Sequence, residues 1–250
     1  MAERTRRGTA RDRLIDTTAE VIYRHGVTAS GVDTIAAAAT VSKPTLYTHF
    51  RSKSDLITAA LTRRHETRRD ELGAYLEGLA DRPADERILA VFDWLADWHR
   101  DAGARGCAFL NAAAELVEAG DAAARRVVRE HKRWWAKTFA KLGRQAGATD
   151  PDRLGERLVL IMDGANARVL VEADTAPFAT ARELAELALA AETAPAAGSA
   201  GTGTTARAAQ GREELEHATR PEARKAAQPA ETARAAQGRE AGGDAATGVR

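Results

Sequence analysis

From Leu14 to Leu189 the apolar residues return at three- and four-residue spacing almost throughout, the period of helices that each bury one face. Runs in which Val, Ile or Thr alternate with polar residues are missing, and the chain has 20 glycines but only 7 prolines, so a sizeable sheet is excluded and an all-α chain is expected. Leu14, Ile15, Thr18, Ala19 and Ile22 form a first stripe, closed by Gly26. Ile35, Ala36 and Ala39 form a short second stripe, and Leu46, Tyr47 and Phe50 a short third. A long helix follows from Lys53 to Leu79, through the charged stretch 63–71, and Pro83 opens the next. Further helices are expected at 84–101, 107–118, 121–146, 151–173 and 177–191, about nine in all.

The apolar pattern stops at Glu192. Between there and Arg250 only Leu215 and Val249 belong to the large apolar set, too little for a core, and the charges of the segment cancel. Within it TARAAQGRE occurs twice, at 205–213 and 232–240, a duplicated low-complexity stretch with nothing to bury. The expected organisation is a flexible basic arm over 1–9, a small helical domain over 10–55, a larger one over 56–191 and a disordered tail over 192–250.

Charge and cysteine content narrow the functional classes. The 37 Lys and Arg nearly balance 36 Asp and Glu, and no stretch of 18 uncharged apolar residues exists, which excludes a membrane-spanning helix. The basic N-terminus lacks the apolar stretch of a signal peptide, so a cytoplasmic location is expected. Cys107 stands alone, without an internal disulfide partner, and no Cys/His spacing fits a zinc site. With no nucleophile and base motif and no Gly-rich phosphate loop, neither catalysis nor a cofactor or metal is expected. Residues 1–65 nevertheless hold eleven Lys or Arg against six Asp or Glu, a net of +5 that leaves −4 for the remainder. That asymmetry places attraction for phosphate on the small domain.

Residues 28–56, TASGVDTIAAAATVSKPTLYTHFRSKSDL, read as two short helices joined by a tight turn. Ser42 is an N-cap, and Pro44 fits the first turn, where a missing N–H costs nothing. A seven-residue helix is too short to stand alone, so Leu46 and Phe50 must dock it, which leaves Lys43, Pro44, Thr45, Tyr47, Thr48 and His49 facing outward. That face is polar and aromatic and has no carboxylate, as a helix entering a DNA major groove requires.

Ser42, Thr45, Leu46, Tyr47, His49, Phe50, Ser52, Lys53 and Leu56 together resemble the DNA-binding domain of TetR/AcrR-family transcriptional regulators. Thr40 stands where that family usually has Gly. The resemblance covers the first quarter of the chain. It implies an N-terminal three-helix helix-turn-helix domain followed by a helical ligand-binding and dimerisation domain. It also implies that Thr45, Tyr47, Thr48 and His49 face double-stranded DNA, with Lys43 at the start of the recognition helix. Lys53, behind the cap Ser52, and Thr28 and Ser30, before the second helix, are expected to hold phosphates. The function expected is that of a homodimeric repressor in the bacterial cytoplasm, on the nucleoid when bound to a palindromic operator and released by a small apolar or aromatic effector.

The effector pocket is expected among the aromatic residues of the larger domain: Phe92, Trp94, Trp98, Phe109, Trp134 and Trp135, with Met162. Cys107 opens a helix whose Asn111 and Glu115 lie one and two turns on, and a thiol-based electrophile or redox sensor at Cys107 is the alternative reading. An inward carboxylate among Asp93, Asp97, Glu115 and Asp163 would favour cationic ligands. Helices 151–173 and 177–191 carry much apolar surface and small residues at 164, 165 and 167, and are assigned to a twofold dimer interface.

Overall fold

The structure, a computed structural model, describes residues 9–118 and 120–194. The expected basic arm, apart from Thr9, and the expected tail beyond Ala194 lie outside the described residues. The described residues form nine helices and no strand: α1 (Ala10–His25), α2 (Val32–Ala38), α3 (Lys43–His49), α4 (Lys53–Glu77), α5 (Ala84–Ala102), α6 (Ala108–Glu118), α7 (Ala122–Gln145), α8 (Pro151–Glu172) and α9 (Pro177–Thr193). None of these is long and apolar enough to cross a membrane.

Local chemistry sets the boundaries. Thr9 and Asp12 close a capping box at the start of α1, and Gly26, at φ 86°, ends that helix in a conformation that costs an L side chain. Ser42, Ser52, Asp121 and Asp150 each accept a backbone N–H at the start of α3, α4, α7 and α8. The turn between α2 and α3 places Thr40 at φ 56°, the left-handed region where glycine is at ease and a β-branched residue is strained.

Three buried clusters hold the helices. Leu14, Ile15, Ile35, Ala36, Ala39, Leu46, Phe50 and Leu56 make the small core of α1 to α3 with the first turn of α4. A second cluster joins α1 and α4 to α6 and α7 through Ile22, Ile57, Leu61, Phe109, Leu116 and Val127. The third and largest runs from Leu72 through α5, α7 and α8 to Leu189, with Phe92 stacked on Phe139 at its centre. Helices α7 and α8 approach so closely at Gly155 that a Cβ there would lie 2.4 Å from the Ala136 carbonyl oxygen.

The helical part ends later than the apolar pattern indicates. Glu192, expected to begin the tail, is 8% exposed and clamps the end of α9. Its Oε2 accepts from Thr149 Oγ1 at 2.7 Å and from Asp150 N at 3.2 Å, and its Oε1 lies 2.5 Å from Arg157 Nη1. A carboxylate with this many partners stays below its usual pKa range, the Thr149 hydrogen bond being the foremost cause.

Candidate functional site

The first site is the outward face of α3. Leu46 is fully buried and Phe50 nearly so, which fixes the rotation of the helix. Ser42, Lys43, Pro44, Tyr47, Thr48 and His49 are then exposed and Thr45 is half-buried. The hydroxyls serve the helix itself: Ser42 Oγ accepts from Thr45 N at 3.2 Å and lies 2.7 Å from Thr45 Oγ1, while Thr48 Oγ1 donates to Pro44 O at 3.0 Å. Lys43 Nζ is paired with Asp33 of α2 at 3.0 Å, and this hydrogen bond raises the ammonium pKa above its usual value. Tyr47 is 48% exposed, an aromatic side chain presented to solvent beside His49.

The residues expected to flank this face divide. Thr28 is exposed, but Ser30 is 1% exposed and its hydroxyl donates to Gly26 O at 2.5 Å, which keeps it inside the α1–α2 turn. Lys53 is also turned onto that segment, donating to Val27 O at 2.8 Å, so it braces the turn. Glu115, expected in the effector pocket, is instead at the same turn: Thr28 N donates to its Oε2 at 2.6 Å, and a Cβ on Gly26 would lie 2.7 Å from its Oε1. Burial works against its charge, but the Thr28 and Val27 backbone donors and Lys53 outweigh it and lower its pKa.

The second site is a cavity of about 30 Å³ lined by α4, α5, α6, α7 and α8. Of the residues expected in an effector pocket, Trp98, Cys107, Phe109, Trp135 and Met162 line it, together with Arg64, Arg68, His99, His131 and Asn166. His131 stacks on Phe109 at 3.6 Å between centroids, and its Nε2 accepts from Trp135 Nε1 at 3.1 Å. His99 Nε2 meets Asn166 Oδ1 at 2.9 Å. Because Asn166 Nδ2 donates to Met162 O, its Oδ1 is the acceptor and His99 Nε2 the donor. Burial, foremost, pulls His99 down to about 4 and His131 to about 2, so both rings are neutral at pH 7.

The two parts of the chain that carry these features each match a family model. Residues 14–60 match the model of bacterial regulatory proteins of the tetR family, and residues 84–185 match the tetracyclin repressor-like C-terminal domain. The chain belongs to the TetR family of transcriptional regulators. A TetR-family transcriptional regulator from Streptomyces coelicolor is similar at 34% identity, with a TM-score of 0.67 over 74% of this chain and 96% of that one. The regulatory protein TetR from Rhodobacter sphaeroides is similar at 25% identity, with a TM-score of 0.62 over 72% of this chain and 99% of that one. Reduced NemR from E. coli, at 20% identity and a TM-score of 0.63 over 71% of this chain and 95% of that one, shares the fold. No curated protein matches.

In this TetR-family chain several residues expected in the pocket lie elsewhere. Phe92 is core, 0% exposed against Phe139. Trp94 stacks on Tyr75 at 5.9 Å, and Trp134 faces His65 and a groove between α4 and α7. Asn111 holds the loop before α6, donating from Nδ2 to Arg105 O at 2.9 Å. The carboxylates expected to favour a cation are all engaged outside the cavity: Asp93 with Arg182, Asp97 with Arg100, Asp163 with Lys132 and Glu115 with Thr28. Arg64 and Arg68 were missed because the stretch 63–71 reads as a solvated face. Their i, i+4 spacing, on the face that continues from Ala60 and Leu61, is the signal that points inward.

Proposed function

We propose that this regulator is a homodimeric repressor that reads a palindromic operator with α3 and leaves it when a small aromatic effector enters the α4–α8 cavity. The observation that carries the first half is the α3 face: a capped helix, rigidly docked by Leu46 and Phe50, with exposed Lys43, Tyr47 and His49 and no carboxylate of its own. Lys43 and Thr45 stand nearest the helix start, where side chains reach base edges. Tyr47, Thr48 and His49 suit phosphate oxygens and the sugar backbone. For Lys43 to reach a base it must leave Asp33, an exposed pair that costs little to separate. Thr28 gives both its backbone N–H and its side chain to Glu115, so it supports the turn, as Ser30 and Lys53 do from inside.

Dimerisation through α8 and α9 is supported by their outer face. Leu160, Val171, Leu184 and Leu187 are 48–80% exposed, a concentration of large apolar side chains that a lone molecule leaves in water. Leu154, Leu158, Met162 and Val169 of α8, by contrast, are buried in the molecule's own core.

Helix α6 supplies the mechanical link. Its first residues, Ala108 and Phe109, line the cavity, and its Glu115 holds the backbone of Thr28 at the turn leading into α2. Arg105 Nε donates to Tyr23 O at 3.0 Å, and Ser54 Oγ of α4 donates to Asp121 Oδ2 at 2.5 Å. An occupant that shifts α6 or α4 therefore moves α2 and α3, and it acts by binding one arrangement more tightly than the other.

Selection on random duplex DNA at fixed moderate salt tests this reading. An inverted repeat is expected, and it is lost in the double variant Lys43→Ala, Tyr47→Ala. Uniform weak binding would replace the repressor with a nonspecific DNA binder.

A second reading, a thiol-based electrophile or redox sensor, is favoured by one contact: Lys132 Nζ lies 3.6 Å from Cys107 Sγ on the cavity wall. The same ammonium is paired with Asp163 at 2.5 Å, so the thiol sits at the edge of an ion pair. In this case Cys107→Ser abolishes the response to electrophiles, while a noncovalent effector still acts on that variant.

A further inference from the structure

Of the thirteen residues that line the α4–α8 cavity, two are cations and none is a carboxylate. The Arg68 side chain is 11% exposed, and its Nη1 is buried without a hydrogen bond, 3.4 Å from Glu71 Oε2. Its guanidinium lies 3.9 Å over the ring of Trp98 and 5.0 Å from that of Trp94. Arg64 is 14% exposed, and its Nη1 reaches Ala19 O at 3.3 Å and Glu20 at 4.0 Å. Burial lowers Arg68 to about 10, which leaves it charged at neutral pH. The carboxylates of Glu71 and Glu20, at 3.4 and 4.0 Å, answer the two buried guanidiniums only loosely, which is costly and leaves room for a closer anion. His99, 1% exposed, adds a second unmet demand: with Nε2 donating to Asn166, its unpartnered Nδ1 can only accept.

We propose that the effector is a small aromatic carboxylate that also carries a hydroxyl or N–H group, held by Arg64 and Arg68 through its carboxylate and by His99 through its donor. The proposal rests on the reading of this cavity as the effector site and names the ligand class. The planar fork of arginine matches a carboxylate, and the rings of Trp98, Phe109 and Trp135 suit a flat apolar body. At about 30 Å³ the cavity as it stands has room for no more than water. A cleft of about 260 Å³ on the α1 side shares Arg64, Arg68 and Trp98 with it, so these three side chains, half-buried Trp98 among them, divide the two spaces. Rotation of Trp98 joins the two spaces. The cleft also holds Asp16, Glu20 and Glu71 beside Arg63, so its mouth carries mixed charge while the inner wall is cationic. Asp16, Ala19 and Glu20 belong to α1, which puts the incoming ligand directly against the DNA-reading module.

Intrinsic tryptophan fluorescence of the full-length protein, with no DNA present, tests the ligand class. The probes are benzoate, 4-hydroxybenzoate, phenylacetate and indole-3-acetate, each beside its carboxamide, with tyramine as the cation. At least one carboxylate is expected to give a saturable change. Its carboxamide should bind about tenfold more weakly or worse, as should the carboxylate on Arg68→Met, while the surface variant Arg126→Gln behaves as wild type. Arg68→Met should also raise the thermal midpoint of the free protein, which a purely structural role for Arg68 would lower. If that variant fails to fold, Arg68→Lys keeps the charge, loses the fork and should show the same weakening. Equal binding of acid and amide, preference for tyramine, or no binding by any of the four acids would overturn the proposal. A carboxylate that binds in this way but leaves DNA affinity unchanged would uphold the site and sink the effector reading.

Discussion

Around α3 the polar side chains are answered within ten residues: Ser42 by Thr45, Thr48 by Pro44, Lys43 by Asp33. Around the α4–α8 cavity the partners come from five helices far apart in the chain, and some demands go unmet, as at Arg68 Nη1 and His99 Nδ1. The first region is complete without a ligand and presents a finished surface. The second holds its polar groups at a cost that a ligand can relieve. If α3 reads DNA and the cavity takes the effector, as proposed, the first needs a rigid surface and the second a poised one, and the two patterns of hydrogen bonding match that division.

The largest effects should come from the large core behind the cavity. Gly155→Val forces a side chain into the Ala136 and Ala140 backbone, and Phe139→Ala empties a fully buried site; each is expected to cost about 3–5 kcal/mol by urea unfolding. Because a shared cluster ties α1 and α4 to α6 and α7, the α3 region should unfold in the same transition. A residual early or late transition would show the regions to be energetically separate.

Acid separates them next. His99 and His131 are held neutral down to about 4 and about 2, whereas in the unfolded chain each takes up a proton near pH 6.5. The unfolded state therefore binds more protons below pH 6.5. Stability is intact above that value and falls with acidification, by up to about 1.4 kcal/mol per pH unit for each histidine. His99 contributes this slope down to about pH 4, and His131 carries it further. Urea midpoints between pH 7.5 and 4.5 measure it, and His131→Gln should flatten it. An unchanged slope would place the acid sensitivity outside the cavity.

The smallest effects belong to the α2–α3 turn. Thr40→Gly, at φ 56°, should stabilise by about 1 kcal/mol, and Ser42→Ala should cost about 1 kcal/mol through the lost cap. Both are read from thermal midpoints, and neither should alter ligand affinity if the cavity is independent of the turn's local chemistry.

The same contrast explains what the sequence made legible. The α3 face could be read because its determinants are consecutive: a cap at Ser42, Pro44 in the first turn, apolar anchors at Leu46 and Phe50. The helix boundaries are local for the same reason and fall within a few residues of the expected ones. The cavity wall is not local. Arg64 and Arg68 look solvated in a charged run, and only the packing of Tyr23 from α1 and Trp98 from α5 shows that their guanidiniums are covered. Glu115 has the spacing of a pocket residue one turn along from Asn111, yet the α1–α2 turn captures it with a backbone N–H. Aromatic content alone could not separate Phe92, which is core, from Trp98, which is a partition. Pairings across 60 to 90 residues, such as Thr28 with Glu115 or His99 with Asn166, leave no periodic trace in the chain.

The most direct test of the account is equilibrium binding of the full-length protein to its selected inverted repeat and to a scrambled duplex at one salt concentration, with and without the tightest-binding carboxylate. The account predicts a preference for the repeat of about 10³ or more that collapses when the carboxylate is present. A preference that is absent, or one that the bound carboxylate leaves untouched, would contradict it.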